Sequence, residues 1–450
     1  MRILHVTLGN PEISQGGLNR YCKEVVEAQK KLGHEVFIIY PSSRVLTKRL
    51  QIKKTTDTHF KILNALPVPL TYGIDNPMRY VKKCSDFLYY RQWLEELSFD
   101  VIHVHSIQGV HFEFFAAAKE LGVKLIFTTH DYYPFCPKCV LYDVNGNLCE
   151  GFDATKCALC NQGCGLSEKK QFLMQSELYQ KVKNISIVRK IRASLSEDLK
   201  RKQNATNSDN KKVATSSIDS FAELNKYYRD ILNCFDVIHC NSKLSSEKYK
   251  AVVEPEKCKI VPITHEGLYR KTHVRKEKDV FKIGYLGGPS IHKGYQIFEQ
   301  ALDLLEKKHI LNWRALFYGG DFNKTLNRES RRQYYGYFSA AEAEVVWDNI
   351  DILVAPSQWY ETFGFIILEA LCRGIPVIAS ELYGSGYLLK DLDKELIFQH
   401  DNPEQLANSL EYFMNDDSYE MLSKDVNQMD LELDMKKHVE KLFDLYKWGN

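Results

Sequence analysis

The sequence predicts an α/β protein built as two doubly wound, Rossmann-like domains in tandem, each a parallel sheet with helices on both faces. Three observations carry that expectation. The chain has 450 residues, too many for one ordinary core. Short β-rich apolar runs alternate with helical stretches over residues 1–265, and the alternation starts again over 280–430. Between the two runs, "HEGLYRKTHVRKEKD" (265–279) is polar, charged and without periodicity, and reads as the linker.

The first run opens as a βαβ unit. "RILHVTLG" is a strand and "NPEISQGG" a loop full of breakers. In "LNRYCKEVVEAQKKLG", Leu18, Tyr21, Cys22, Val25, Val26 and Leu32 keep the 3.6 period of a helix, and Gly33 is placed to end it. The strand "HEVFIIYP" follows, then "FDVIHVHS", the helix "GVHFEFFAAAKELG" and the strand "VKLIFTTHD". "FDVIHCNS" at 235–242 opens with the same five residues as 99–106; the echo is too short for a repeat but marks the same kind of strand end used twice. The second run reads "VFKIGYLGG", "KGYQIFEQALDLLEKKH", "WRALFYGG", "SAAEAEVVWDNID", "ILVAPS", "FGFIILEALCRG" and "IPVIAS". Residues 431–450 read as a C-terminal helix that packs back on the N-terminal domain.

Composition narrows the partners. With 60 basic against 58 acidic residues and a net charge of +2, nothing points to nucleic acid. There is no run of 18 or more apolar residues, and "MRILHVTLGN" has neither the charged start nor the cleavage site of a signal peptide. A cytoplasmic location is expected, with the twelve cysteines as thiols or metal ligands rather than disulfides.

Doubly wound sheets bind ligands beyond the carboxyl ends of their strands, and the conspicuous motifs fall there, pointing to an active cleft between the domains. The sharpest is "SQWYETFGFIILEAL" (357–371), which sets Glu361 and Glu369 into an otherwise apolar stretch. A helix expected from near Phe363 offers backbone N–H groups to a diphosphate, and Gly364 admits close approach. Glu369 then lies roughly 9 Å along the axis, about the reach from a sugar ring across two phosphates to a ribose. Ionised carboxylates are suited to gripping neighbouring hydroxyls. The plainer reading makes Glu369 a solvated helix residue and Glu361 a first-turn charge. Lys293, at a helix start, opposes the helix dipole unless an anion sits beside it.

Here the sequence resembles a known family. "PSQWYETFGFIILEALCRGIPVIAS" is similar to the donor-site signature of retaining glycosyltransferases of family 4, which share the two-domain GT-B fold. "GYLGGPSIHKG" resembles the family's donor-phosphate loop, and "QGGLNRYCKEVVEAQKKLGHEV" its N-terminal glycine loop and helix. The resemblance implies that Glu369 grips the ribose hydroxyls and Glu361 the donor sugar, while the amides of Thr362, Phe363 and Gly364 face the phosphates. It makes Lys293 the phosphate-binding lysine, with Gly288 and Ser290 in the same loop, and lets Gly16 and Gly17 approach the donor phosphate or the acceptor. It places His130 against the sugar and reacting centre. One departure stands out: the arginine common shortly before the lysine is missing, since Gly287, Gly288, Pro289, Ser290 and His292 fill that stretch, and His292 or Arg373 is the candidate substitute.

The implied reaction moves a sugar from a nucleoside diphosphate, a UDP-sugar being favoured, to a saccharide or lipid-linked acceptor in polysaccharide or glycoconjugate synthesis. It proceeds with retention and without a catalytic metal; Lys293, the helix start and His130 would stabilise the developing charge. Asp391 and Asp393 have the spacing of a metal motif from another fold but sit in a surface turn. Two rival readings remain open. One is a GT-B nucleotide-sugar epimerase, which needs no acceptor; the other is a non-enzymatic binding protein, against which the intact Glu361, Lys293, His130 and Glu369 argue.

"FCPKCVLYDVNGNLCEGFDATKCALCNQGC" concentrates six cysteines within a module at 136–165. Cys136 with Cys139 and Cys157 with Cys160 have the spacing of a structural zinc site; Cys149 and Cys164 are additional. Four of Cys136, Cys139, Cys149, Cys157 and Cys160 are the expected ligands, and some similar glycosyltransferases use the position of Cys149 in place of Cys139. The stretch 168–235 reads as a helical, partly basic insertion in which Ile185, Ile187, Val188, Ile191 and Leu195 are interleaved with charge. It is a solvated insertion or, in the sharper reading, a peripheral contact with anionic lipid. Residues 204–217 read as a polar loop.

Overall fold

A computed structural model describes residues 1–13, 16–42, 49–81, 86–167, 214–322, 324, 326–339 and 341–448, with 170, 171, 173, 179, 182 and 185. The chain divides into two compact units. The first comprises Met1–Val144, Cys149–His265 and Met435–Asn450, and the second Asn145–Leu148 with Glu266–Asp434.

The first unit holds β1 (Arg2–Val6), β2 (Glu35–Pro41), β3 (Gln51–Lys54), β4 (His59–Leu63), β5 (Val101–Val104), β6 (Lys124–Thr128), β7 (Val237–Cys240) and β8 (Cys258–Ile260). They form one sheet in the order β3-β4-β2-β1-β5-β6-β7-β8, parallel throughout except for the antiparallel β3/β4 edge. Central strands of such a sheet are covered on both faces, and β5 and β7 are buried at every position. Helix Gly17–Lys31 starts and stops as its sequence suggests: Gly16 precedes it, and Gly33 takes φ +85° just past its end. Helix Met435–Lys447 belongs to this unit and packs on helix Gly17–Lys31, with Val439 and Leu442 fully buried.

The second unit holds β9 (Phe281–Leu286), β10 (Trp313–Tyr318), β11 (Arg332–Gly336), β12 (Ile352–Ala355), β13 (Val377–Ser380) and β14 (Ile397–Phe398), all parallel, in the order β11-β10-β9-β12-β13-β14. Helix Tyr295–Lys307 buries Phe298, Ala301, Leu302 and Leu305, a spacing that keeps one face on the sheet. Phe298 packs on Phe317 and Tyr285, and Trp313 and Phe281 complete the same core. Each such ring contributes roughly 1.5–3 kcal/mol by leaving water.

Three expectations change. Residues 266–279 are no loose linker: Lys271 N–H donates to the Cys372 carbonyl at 2.9 Å, Arg270 donates to the Leu371 and Asn427 carbonyls, and Arg275 stacks on Phe281. Charge there is spent on closing the second unit. Helix Phe365–Leu371 starts two residues later than expected, because Gly364 adopts a left-handed φ of +85°. Glu369 is then about 6 Å along that axis rather than 9. Only Ala343–Trp347 of "SAAEAEVVWDNID" is helical. Of the helical insertion, helix Thr215–Cys234 is described; Ile187, Val188, Ile191, Leu195 and most of the polar loop 204–217 lie outside the described residues. No helix among the described residues is long and apolar enough to cross a membrane.

Candidate active site

In the second sheet the strand order reverses at β9 and β12, whose outer neighbours β10 and β13 run off in opposite directions. Connections from these two strands depart to opposite sides, which opens a crevice beyond their carboxyl ends. A cavity of about 210 Å³ occupies that crevice. Its walls are Tyr285, Leu286 and Gly287 from the end of β9, Leu353 to Pro356 from β12, and Lys293, Glu361, Gly364, Phe365, Ile366 and Tyr383 from the loops and helix that follow.

Two glycines make this crowding feasible. A side chain on Gly294, at φ +74°, would put its Cβ 1.6 Å from the Pro356 carbonyl oxygen, so the loop carrying Lys293 can sit against the end of β12 only with glycine there. A Cβ on Gly364 would meet the Tyr383 ring at 2.3 Å. The segment 361–364 is further laced to 382–385: Glu361 N–H donates to the Leu382 carbonyl, Gly384 N–H to the Glu361 carbonyl, and Ser385 N–H to the Phe363 carbonyl.

Lys293 Nζ donates to Glu361 Oε1 at 2.5 Å, and Trp359 Nε1–H donates to the same oxygen at 2.6 Å. Burial pushes the Glu361 carboxyl up, but the Lys293 charge and both hydrogen bonds outweigh it and hold the group below the ordinary carboxylate range. Glu361 is therefore an ionised acceptor on the cavity wall. The Lys293 ammonium lies 4.9 Å from the Trp359 ring centroid, and the His292 ring packs against the same indole with centroids 4.3 Å apart. Trp359 is the site residue sequence reasoning missed; its place two residues before Glu361 was the available signal.

The remaining expected donor residues divide. Gly364 lines the cavity, whereas Glu369 is half-buried on helix Phe365–Leu371 and is not among the residues lining it. Phe363 is a core residue whose ring packs on Phe365, and Thr362 is half-buried beside it. Gly288 accepts from Tyr285 OH and from Ser290 N–H through its carbonyl, and Ser290 Oγ lies 3.4 Å from His292 Nε2. Neither Gly288 nor Ser290 is among the lining residues; Gly287 is. Of the candidate substitutes for the missing arginine, Arg373 is committed elsewhere, to Glu344 Oε1 at 2.7 Å and to the Glu369 carbonyl at 2.8 Å. His292 stays beside the Lys293–Glu361 pair. Asp393 caps a short turn by accepting Glu395 N–H.

In the first unit, Gly16 and Gly17 sit at the start of helix Gly17–Lys31, in open space. His130 lies two residues beyond β6 and is half-buried, its Nε2 3.2 Å from His105 Nδ1 and its ring edge-on to Tyr21. Burial, with the nearby His239, lowers its pKa to about 3, so it is a neutral imidazole. Beside it, burial raises the Asp131 carboxyl to about 6 despite a hydrogen bond from Tyr133 N–H.

The cysteine module resolves into two kinds of thiol. Burial raises the Cys136 thiol, an effect only partly offset by the amides of Leu141, which donates to its Sγ at 3.4 Å, and of Lys138 and Val140. Cys149 and Cys157, pushed up to about 12 by burial and by the sulfurs around them, feel the charge of Cys136 and Cys160. Cys139 is turned into the core, its Sγ–H donating to the Leu70 carbonyl and its sulfur accepting from Gln108. Cys149 and Cys157 thus sense Cys136 and Cys160, while Cys139 is engaged with Leu70 and Gln108; among the described residues the groups close enough to hold a metal are His5, His103 and His105, and Cys22, His105 and His130, neither of them in this module.

Two parallel, doubly wound units of this topology define the GT-B class of fold. Comparison with known proteins agrees. Glycosyltransferase Family 4 matches residues 15–148 and Glycosyl transferases group 1 matches residues 269–429, together about two thirds of the chain. The chain belongs to this family of group 1, family 4-like glycosyltransferases. A Klebsiella pneumoniae relative, an uncharacterized 42.6 kDa protein in a cps region, is 21% identical over 291 residues, covering 63% of this chain and 58% of the relative. The chain therefore matches just under three fifths of that protein's length. Among solved structures, sucrose-phosphate synthase from Thermosynechococcus elongatus aligns with a TM-score of 0.55 at 15% identity, covering 99% of this chain and 98% of that one. Anabaena Alr3699/HepE in complex with UDP aligns with a TM-score of 0.55 at 13% identity over 99% and 100% of the two chains.

Proposed function

We propose that the protein transfers a glycosyl group from a nucleoside diphosphate sugar to a hydroxyl of a saccharide acceptor, with retention. The observation that carries this reading is the pairing of Lys293 with Glu361 on the wall of the crevice between β9 and β12. An ammonium has three donors, so Lys293 can keep its bond to Glu361 while donating to a diphosphate. Both bonds to Glu361 named above fall on Oε1, and we assign Oε2 to a hydroxyl of the donor sugar. Negative charge grows on the leaving diphosphate as the glycosidic bond lengthens, and a fixed ammonium in a partly enclosed cavity stabilises that charge. We keep Glu369 as the ribose ligand and His130 as the group facing the sugar; both assignments rest on the family resemblance. UDP is the first nucleotide to try, since HepE was solved with UDP. A lipid-linked acceptor, a peripheral membrane contact and a structural zinc held by Cys136, Cys149, Cys157 and Cys160 complete the reading.

The test is a thermal-shift screen against UDP, GDP and ADP and their common sugars, followed by assays of nucleotide release with and without saccharide acceptors. Stabilisation by one nucleotide, with release stimulated by an acceptor, is the expected result. Release of free nucleotide with interconversion of sugars and no acceptor dependence would favour an epimerase. No stabilisation by any nucleotide would refute the reading.

A further inference from the structure

The geometry points to a single polarised hydrogen-bond chain, running through the core of the first unit, that holds His130 as the Nε2–H tautomer and so makes its Nδ1 a hydrogen-bond acceptor. The chain begins at the Val261 carbonyl, which can only accept. His239 Nε2 lies 2.7 Å from it and must carry the proton. A neutral His239 then accepts at Nδ1, so the Thr128 hydroxyl, 2.9 Å away, donates to it. The Thr128 oxygen in turn accepts from His103 Nε2 at 2.6 Å, which leaves His103 Nδ1 to accept from Tyr446 OH at 2.7 Å. Tyr446 accepts from the Gln29 amide NH2 at 2.9 Å, and the other end of that amide, Oε1, accepts from His5 Nε2 at 2.7 Å. His5 Nδ1 then accepts from His105 Nε2 at 2.9 Å, and His105 Nδ1 accepts from His130 Nε2 at 3.2 Å.

Every step follows from the one before, provided each imidazole is neutral. Burial enforces that: His5, His103, His105 and His239 are at most 1% exposed, and a charged ring there would be desolvated among other rings. The Gln29 amide is consistent with this direction, its Nε2 facing Tyr446 OH and its Oε1 facing His5 Nε2. The strand register builds the chain, because His5 is the register partner of His103 and Thr128 that of His239. His5, His103 and His105 also lie close enough to suggest a metal cage. Both nitrogens of each ring are already engaged, however, so a metal would have to break the chain.

His130 so held can only accept at Nδ1 and has no proton there to give a leaving group. Thr128, His103, Tyr446, Gln29 and His5 are positioning residues acting through it. The consequence for turnover rests on the glycosyl-transfer reading; the tautomers themselves do not.

The experiment is long-range 1H–15N correlation NMR of the histidine rings in the intact protein, without substrate, at neutral pH. The expected spectrum shows His5, His103, His105, His130 and His239 each as the Nε2–H tautomer; an Nδ1–H tautomer or an imidazolium at any of the five would overturn the chain. Thr128→Val removes the link next to His239 and is expected to leave His130 as a mixture of tautomers. Thr129→Val, whose hydroxyl serves Ser245 and Asn241 instead, should leave His130 unchanged. A single unchanged His130 tautomer in Thr128→Val would show that the chain does not set it. If the transfer reading also holds, Thr128→Val lowers kcat roughly tenfold or more, with the donor KM unaltered. Nε2–H tautomers in a protein without transferase activity would uphold the chain and sink only that reading.

Discussion

Acidification should unfold the first unit selectively. His5 and His239 are fully buried, and burial lowers their pKa values to about 4; His438, 2% exposed, is lowered to about 3 by burial and by His239 and Lys441. In the unfolded chain each titrates near 6.5, so between pH 6.5 and about 4 the unfolded state binds more protons than the folded one. Stability must therefore fall as pH falls through that window. From pH 7 to pH 5 each histidine costs about 2 kcal/mol and the three together about 6, with His103 and His105 shifted in the same sense; the Asp131 carboxyl, raised to about 6, takes up its proton in the folded state and offsets about 1 kcal/mol of that. A domain is stable by only about 5–15 kcal/mol, so the loss is large. The assay is amide hydrogen exchange by mass spectrometry at pH 7, 6 and 5, corrected for intrinsic exchange. Peptides from β1, β5 and β7 should lose most of their protection by pH 5, and those from β9, β10 and β12 far less. Equal protection of β5 at pH 7 and pH 5 would refute the reasoning, because the histidines would then be accommodating charge inside the fold.

Other outcomes follow from the same contacts. Trp359→Phe removes the indole N–H from Glu361 and should weaken donor binding about 10- to 100-fold in titration calorimetry, the loss of one hydrogen bond to a charged group. Gly364→Ala sets a Cβ against the Tyr383 ring at a left-handed φ, and should lower stability by about 1–3 kcal/mol in urea unfolding. Metal analysis should find one zinc per chain, retained in Cys139→Ser and lost in Cys157→Ser; loss in both would return Cys139 to the ligand set.

The strands and helices that carry the cavity could be read from the sequence because their apolar periods are clean: Phe298, Ala301, Leu302 and Leu305 announce a helix face, and "ILVAPS" a buried strand with its stop. Glu361 and Lys293 were visible as charges that made no sense in an apolar stretch or at a helix start, and they meet across 68 positions of sequence. What could not be read depends on long-range register or on one backbone angle. The start of the helix after Glu361 moved because Gly364 takes a left-handed φ, at a position where a Cβ would meet the Tyr383 ring. Cys139 has the spacing of a ligand, and that its sulfur bonds Leu70 and Gln108 could not be read from that spacing. The shared "FDVIH" of 99–103 and 235–239 was seen as two similar strand ends. That His103 and His239 share Thr128 required β5, β6 and β7 to be neighbours. The polar stretch 266–279 looked like a linker because ion pairs and backbone carbonyls, unlike apolar contacts, leave no periodic trace.

The account turns on the crevice between β9 and β12 holding a nucleoside diphosphate through Lys293. Isothermal titration of UDP, GDP and ADP into the intact chain, into Lys293→Ala and into Lys308→Ala tests it most directly, since Lys308 pairs with Glu411 on a helix of the same unit. One nucleotide should bind the intact chain and Lys308→Ala equally, and Lys293→Ala at least about tenfold more weakly, the loss of a charge-assisted contact to phosphate. Equal affinity in all three proteins would contradict the assignment.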